Sequence, residues 1–319
     1  MIEKAALAFV TTPLNKNSVA VLAGVLEAQE APIDLDLLFI QDNANLDLLF
    51  GEALREYEQL IVAFSFCTPV SAQIGPMVQR MRASAAEGDC LTTWIAGGPH
   101  PSGAPQETLE RGFDLVVVGE AEETLPAVLR RLLEQGSLSE VKGIAYYQDG
   151  EYTYTGRAPL VRCLDAHPPF APQHRRFSPI EIIRGCPYAC RFCQTSYLFG
   201  GMPRYRSPEV VADWAGVARS YGIPFMRFVA PNALSYGSAD GRQTKLAALE
   251  DLLVRVGAIM GRDRVYIGSF PSEVRPEMVT DEAIELIERL AGNKTITLGA
   301  QSGSQRMLEA MHRGHSVED

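Results

Sequence analysis

The chain has 319 residues, enough for two domains with separate cores, and its 46% hydrophobic and 21% charged content is that of an ordinary globular protein. Its 39 acidic and 29 basic side chains leave a net charge of −10, which argues against a nucleic-acid substrate held on a broad basic face. The longest apolar stretch, around Leu60 to Phe66, is far shorter than the roughly 20 residues of a membrane-spanning helix, and MIEKAALAFV lacks a secretion-signal pattern, so the expected compartment is the cytoplasm, with no membrane partner.

Through Gln135, short β-rich runs alternate with amphipathic segments. Strands are expected at Ala5 to Val10, Ile33 to Ile40, Leu60 to Phe66, Leu91 to Ala96 and Asp114 to Val118. Between them, Ser18 to Gln29 and Val70 to Glu87 carry apolar residues at helical spacing. This alternation predicts an α/β fold with a doubly wound parallel sheet, whose ligands bind beyond the carboxyl ends of the strands. The loops there contain Thr12, Ser65, Gly97, Gly98 and Glu120. Adjacent glycines let a backbone approach a bulky ligand closely, while the lack of GxGxxG gives no support to a dinucleotide site.

Asp149-Gly150 between aromatic-rich runs predicts a hairpin over 143–155. From Gly156 to Pro179, five prolines and no hydrophobic period mark an extended linker. The expected domains are therefore 1–142, a hairpin and Pro-rich linker over 143–179, and 180–319. Ile180 to Ile183 reads as a short strand feeding Arg-Gly-Cys-Pro-Tyr-Ala-Cys-Arg-Phe-Cys.

In that run Cys186, Cys190 and Cys193 are separated by three and then two residues, and three soft thiolates round one centre select zinc, copper(I) or iron-sulfur. A structural zinc site is closed by four ligands, whereas three thiolates on a four-iron cluster leave one iron open to a substrate or cosubstrate. A zinc knuckle borrowing Cys163 or His174, or three ordinary core cysteines, are the other readings. Cys67, Cys90 and Cys163 read as small buried hydrophobes. Between His174 and Arg206, Arg175, Arg176, Arg184, Arg191, Arg204 and Arg206 face the single acid Glu181. These cations would either stabilise an anionic cluster and steer an anionic substrate, or simply decorate a solvated loop.

Ser207 and Pro208 then read as the cap and first position of a helix. Further strands are expected near Phe225 to Val229, Val265 to Ser269 and Thr295 to Leu298, followed by loops that carry Asn232, then Ser269 and Glu273, then Gln301 and Ser302. Any of these polar residues could merely cap the next helix, as Ser304 or Thr280 would. The final His-Ser-Val-Glu-Asp looks like a first helical turn with Ser316 as cap, and TITLGA would form a bare sheet edge. The natural protein is therefore expected to continue for another pair of β-α units.

The CxxxCxxC pattern, with Phe192 just before its last cysteine, resembles that of the radical S-adenosylmethionine enzymes. The region before Gln135 resembles the cobalamin-binding domain of one large class of them, whose pattern is DxHxxG, SxL and GG. Ser65 and the pair Gly97 and Gly98 match the last two parts, with Cys67 in place of the leucine. The first part is missing: Thr-Thr-Pro-Leu-Asn-Lys-Asn holds no histidine, which leaves open cobalamin bound without a protein ligand or a domain that has lost it. His100, between two prolines on another loop, is the one candidate replacement ligand.

The resemblance implies a Rossmann-like cobalamin-binding domain followed by a partial (β/α) barrel, incomplete at its carboxyl end. It implies a 4Fe-4S cluster on Cys186, Cys190 and Cys193; S-adenosylmethionine at Phe192, Asn232, Ser269, Glu273, Gln301 and Ser302; and cobalamin at Thr12, Ser65, Gly97, Gly98 and Glu120. The implied activity is reductive cleavage of S-adenosylmethionine to a 5'-deoxyadenosyl radical, used for methyl transfer to an unactivated carbon of a small molecule or peptide. An electron donor such as flavodoxin or ferredoxin would serve the cluster. A cobalamin-independent radical rearrangement, cyclisation or sulfur insertion is the alternative, and a non-catalytic iron-sulfur carrier or sensor a further one. No catalytic acid, base or hydrogen donor is legible.

Overall fold

The computed structural model describes residues 4–319; the first three residues of the stretch read for a secretion signal lie outside them. The chain divides into two compact units between Val161 and Arg162. No helix among the described residues is long and apolar enough to cross a membrane.

The first unit is built on seven strands: β1 (Ala5–Thr11), β2 (Asp36–Gln41), β3 (Gln59–Ser65), β4 (Leu91–Gly97), β5 (Leu115–Val117), β6 (Ile144–Gln148) and β7 (Glu151–Tyr154). Their order is β2-β1-β3-β4-β5-β6-β7, parallel from β2 to β5 and antiparallel from β5 onward. The helices of this unit are α1 (Lys16–Glu27), α2 (Leu46–Glu56), α3 (Ser71–Ala85), α4 (Pro99–Gly103), α5 (Pro105–Glu110) and α6 (Thr124–Leu133), and the second unit opens its own series with α7 (Thr195–Phe199). β1 and β3 are buried along almost their whole length, which is why both are unbroken apolar runs rather than alternating ones. Trp94 is fully buried on β4 and meets the edge of Phe50 at 5.8 Å between ring centroids.

The hairpin turns at Asp149 and Gly150, both at positive φ, which the type I′ turn of a two-residue loop requires. It does not belong with a linker: β6 pairs with β5, so the hairpin completes the sheet and covers an edge that β5 would otherwise expose. Nor is the proline-rich segment an extended tether. Phe170 and Ala171 are fully buried, the Phe170 ring packs against Phe177 at 5.0 Å and Trp214 at 5.2 Å, and Ala171 bridges Arg176. Prolines fix φ without preventing packing, and these aromatic anchors hold the segment to the second unit.

In the second unit, β8 (Ile180–Glu181), β11 (Met226–Val229) and β12 (Val265–Tyr266) form a parallel sheet in the order β12-β11-β8. β9 (Ile183–Arg184) leaves that sheet and pairs antiparallel with β10 (Arg204–Tyr205), so the run predicted as one strand is broken at Ile182. Ser207 caps α8 (Pro208–Ser220) by accepting from Val210 N, and Thr280 caps α10 (Asp281–Leu290) by accepting from Ala283 N. Leu249, Leu252, Leu253 and Val256 bury one stripe of α9 (Leu246–Met260) at helical spacing.

Two predicted strands are cut down. β12 ends at Tyr266 because Gly268 sits at φ +61, where the chain turns against Val274. Thr295 to Leu298 forms no strand: its ladder is a single bridge between Val274 and Leu298, with Thr297 N donating to Gly268 O at 2.7 Å. Leu298 is half exposed, since no strand among the described residues lies on its outer side.

Candidate functional site

Strand order reverses between β1 and β3, and an open α/β sheet binds ligands at such a switch point. Asn15 ties it together: its Nδ2 donates to Val10 O at 2.9 Å and Ser65 O at 3.1 Å, while its Oδ1 accepts from Thr12 N at 2.8 Å. Thr12 Oγ1 accepts from the Leu14 and Asn15 amides, and Ser65 Oγ lies 3.1 Å from Ser18 Oγ. These two candidates therefore stand at the carboxyl ends of adjacent strands, held by Asn15, a residue that the sequence did not single out.

Gly97 ends β4, and Gly98 follows at φ 93 and ψ −172, a conformation essentially reserved for glycine. A Cβ on Gly98 would lie 2.8 Å from Ser65 Oγ, so the loop after β4 closes onto the end of β3. Glu120 is buried, and its Oε2 accepts from Val161 N at 2.5 Å. His100 is buried too, stacked on Phe66 with Nδ1 3.3 Å from Thr68 Oγ1, so its ring packs onto the loop that follows β3.

The cysteine loop of the second unit starts where β9 ends. Gly185, at φ +92, is required there, because a Cβ would meet Met202 O at 2.6 Å. Cys186 N donates to Gly200 O at 3.1 Å, Ser196 Oγ donates to Cys186 O at 2.6 Å, and Cys193 N donates to Cys190 O at 3.0 Å. Arg191 fastens the loop to the residues after α11 (Gln305–Ala310), through Met311 O and Ala310 O. Cys190 is buried, Cys186 half-buried and Cys193 exposed. Burial pushes the Cys186 thiol up; an amide from Tyr188 and the Arg275 charge oppose this, and Cys190 and Cys193 add to it.

Four of the six nearby arginines brace the loop. Arg184 grips Glu181 through two nitrogens, Arg206 donates to Glu181 O and His167 O, Arg204 donates to Phe199 O, and Arg191 donates as above. The cations that reach the cysteines come from much later in the chain. Arg313 Nη1 lies 3.6 Å from Cys190 Sγ, and Arg275, 1% exposed, stacks 3.4 Å over the ring of Tyr188. No local pattern marks either residue.

Of the candidates for S-adenosylmethionine, Phe192 is exposed on the cysteine loop. Asn232 is buried, donating to Met278 Sδ and accepting from Arg275 N, so its amide holds the loop. Ser269 Oγ is buried without a hydrogen-bond partner. Glu273 lies 3.7 Å from Arg313 beside Gly299. Gln301 is exposed at φ 66, and Ser302 Oγ accepts from Ser304 N, a local turn rather than a helix cap. Glu273 and the Gly299 loop are thus brought together with Arg313 and Cys190, while Asn232 is placed with Arg275.

The donor set suits a cluster: three soft sulfurs with two buried guanidiniums beside them, one of which, Arg275, has an Nη1 with no hydrogen-bond partner. Among the described residues, no group of three or more His, Cys, Asp or Glu is assembled to hold a single metal ion, and the three cysteines are no exception.

The family model for the Radical SAM superfamily matches residues 180–319, and that for the B12 binding domain matches residues 4–129. A tRNA-2-methylthio-N(6)-dimethylallyladenosine synthase of Thermotoga petrophila is 28% identical over 67% of this chain and 43% of its own. A namesake from Desulfosudis oleivorans is 31% identical over 43% of this chain and 28% of its own. The chain thus spans less than half the length of these curated relatives. Among solved structures, the cobalamin-dependent S-adenosylmethionine radical enzyme OxsB with aqua-cobalamin bound superposes with a TM-score of 0.73 at 18% identity, over 99% of this chain and 46% of OxsB. The radical S-adenosylmethionine methyltransferase TsrM from Kitasatospora setae gives 0.73 at 15% identity, over 99% and 62%. At such identities the likeness is one of fold. With the sheet, the cysteine loop and both family matches in agreement, the chain belongs to the radical S-adenosylmethionine superfamily, in the class that carries a B12-binding domain ahead of the radical domain.

Proposed function

We propose that this chain cleaves S-adenosylmethionine reductively and uses the resulting 5'-deoxyadenosyl radical, with cobalamin, to methylate an unactivated carbon of a small molecule or peptide. The observation that carries the reading is the cysteine loop, with Cys186, Cys190 and Cys193 within eight residues and a guanidinium 3.6 Å from Cys190 Sγ. When bound, a 4Fe-4S cluster supplies the electron that breaks the sulfonium, and cobalamin carries the methyl group. Cys186, Cys190 and Cys193 would hold the cluster, and the exposed Cys193 side would face an electron donor such as flavodoxin or ferredoxin. Glu273, Gln301 and Ser302 would orient S-adenosylmethionine with the Phe192 backbone, and Ser269 Oγ offers a polar group that the protein leaves unsatisfied. Asn232 would act by fixing the loop. Thr12, Ser65, Gly97 and Gly98 would line the cobalamin edge at the switch point, with Glu120 holding Val161 behind it.

A second reading, methylthio transfer, is favoured by the names of the curated relatives. The net charge of −10 weighs against a tRNA substrate. Two measurements test these readings. Anaerobically reconstituted protein with a reductant should form 5'-deoxyadenosine, and Cys186→Ala, Cys190→Ala or Cys193→Ala should abolish it; turnover that survives these changes would sink the cluster reading. Hydroxocobalamin retained near stoichiometry through gel filtration supports methyl transfer, and none retained by folded protein shifts the reading to sulfur insertion or another cobalamin-independent reaction.

A further inference from the structure

Arg313 is 5% exposed, and its guanidinium is fixed in orientation: Nε and Nη2 both donate to Gly299 O, at 3.2 and 2.6 Å. That leaves Nη1 directed at Cys190 Sγ, 3.6 Å away. Cys190 is the buried member of the cysteine set, so the contact is shielded from water. The backbone of Arg313 is pinned as well, since Arg275 Nη2 donates to Arg313 O at 2.6 Å while Arg275 is clasped by Glu277 and stacked on Tyr188. Gly299 makes room for the arrangement. A Cβ there would lie 2.6 Å from Arg313 Nη2 and 3.0 Å from Glu273 Cδ. The exposed Cys193 sulfur, by contrast, lies 3.2 Å from the neutral hydroxyl of Thr195.

Resting on the cluster reading above, we propose that Arg313 is a positioning residue for the iron-sulfur cluster, donating a charge-assisted N–H···S bond to the Cys190 thiolate and raising the cluster's reduction potential. Reduction adds an electron to a centre already anionic, so a buried cation at one thiolate stabilises the reduced form more than the oxidised form. Hydrogen bonds to cluster sulfurs act in the same direction. Cys190 is also held in place by this bond, because Arg313 cannot swing away without abandoning Gly299 O.

The test uses the full chain, reconstituted anaerobically with iron and sulfide, as wild type, Arg313→Met, Arg313→Lys and Gly299→Ala. Iron and sulfide content, circular dichroism and a redox titration followed by electron paramagnetic resonance are read on each. Arg313→Met should keep its cluster and lower the midpoint potential by the equivalent of at least a tenfold loss in the reduction equilibrium, about 59 mV for one electron. Arg313→Lys, which keeps the charge but not the fork, should fall between. Gly299→Ala should move the potential the same way with Arg313 still present, and it decides the matter if Arg313→Met does not fold. Normal clusters with unchanged potentials in Arg313→Met and Gly299→Ala overturn the role of Arg313 and leave the cluster reading standing. A wild-type chain that takes up no cluster overturns the cluster reading itself.

Discussion

Gly97 and Gly98 are adjacent, yet the structure gives them opposite expectations. Gly98 occupies φ 93 and ψ −172, and an added Cβ would lie 2.8 Å from Ser65 Oγ and 3.1 Å from both the amide and the carbonyl of Phe66. The backbone conformation alone costs a side chain about 1–3 kcal/mol. Neither backbone atom can yield, because Phe66 N is bonded to Gly97 O and Phe66 O to His100 N, so overpacking adds about 1–3 kcal/mol. Gly98→Ala should therefore lose about 2–6 kcal/mol. A Cβ on Gly97 meets nothing closer than Val117 O at 3.8 Å, so Gly97→Ala should be neutral or gain up to about 1 kcal/mol. The fold has no need of glycine at 97, and on the proposed cobalamin reading Gly97→Ala should weaken cobalamin retention without loss of stability. The assay is urea unfolding by tryptophan fluorescence in a Trp214→Phe background, where buried Trp94 reports the first unit alone. With an m-value of about 2 kcal/mol/M, Gly98→Ala should lower the midpoint by about 1 M or more. Equal midpoints for the two variants, or a destabilised Gly97→Ala, would refute the reasoning.

Other perturbations have similarly direct consequences. Tyr57 donates to Asp36 Oδ2 at 2.8 Å, and burial, followed by the contact with Asp36, pushes its hydroxyl up to about 12. Its folded value exceeds the unfolded one near 10, so its contribution is complete below about pH 10 and is lost as pH rises towards 12. Tyr57→Phe should cost about 1 kcal/mol at pH 7 and show a shallower loss across that window, as read by urea midpoints at each pH. Thr280→Ala removes the cap of α10 and should cost about 1 kcal/mol by thermal melting, with Thr280→Ser close to wild type. Phe170→Ala should cost about 3–5 kcal/mol and shift the emission of Trp214; a change under about 1 kcal/mol would mean that the proline-rich segment is not packed as described.

What was legible in the sequence is what neighbouring residues decide. β1 and β3 are continuous apolar runs because both faces of the sheet are covered; Asp149-Gly150 forms its turn from its own backbone preferences; Ser207-Pro208 caps from within four residues. The misreadings fall where tertiary contacts override that local signal. Proline content suggested a tether at 156–179, yet Phe170 finds an aromatic partner in Trp214 and Phe177 in Tyr221, each some forty positions away. Thr295 to Leu298 has the composition of a strand, but strand identity needs a ladder, and the turn at Gly268 against Val274 removes the partner it would have paired with.

The same division runs through the candidate site. Cys186, Cys190 and Cys193 lie on one short loop, so their spacing alone suggested the shared centre proposed for them. Their electrostatic environment does not come from that loop. The six arginines beside the motif look like its counter-charges, but Arg184 is spent on Glu181 and Arg191, Arg204 and Arg206 on backbone carbonyls, because a loop rich in glycine and proline has few hydrogen bonds of its own to hold it. The counter-charges are Arg275 and Arg313, delivered by segments that follow β12 and α11 and locked to each other through Arg313 O. A barrel that gathers its loops at one end can supply a cation to a cysteine more than a hundred residues distant, and the fold holds that cation in place through Gly299 O. The proposed ligands are thus a local property of the sequence. How those ligands are held, and at what potential a cluster on them would work, is a property of the fold.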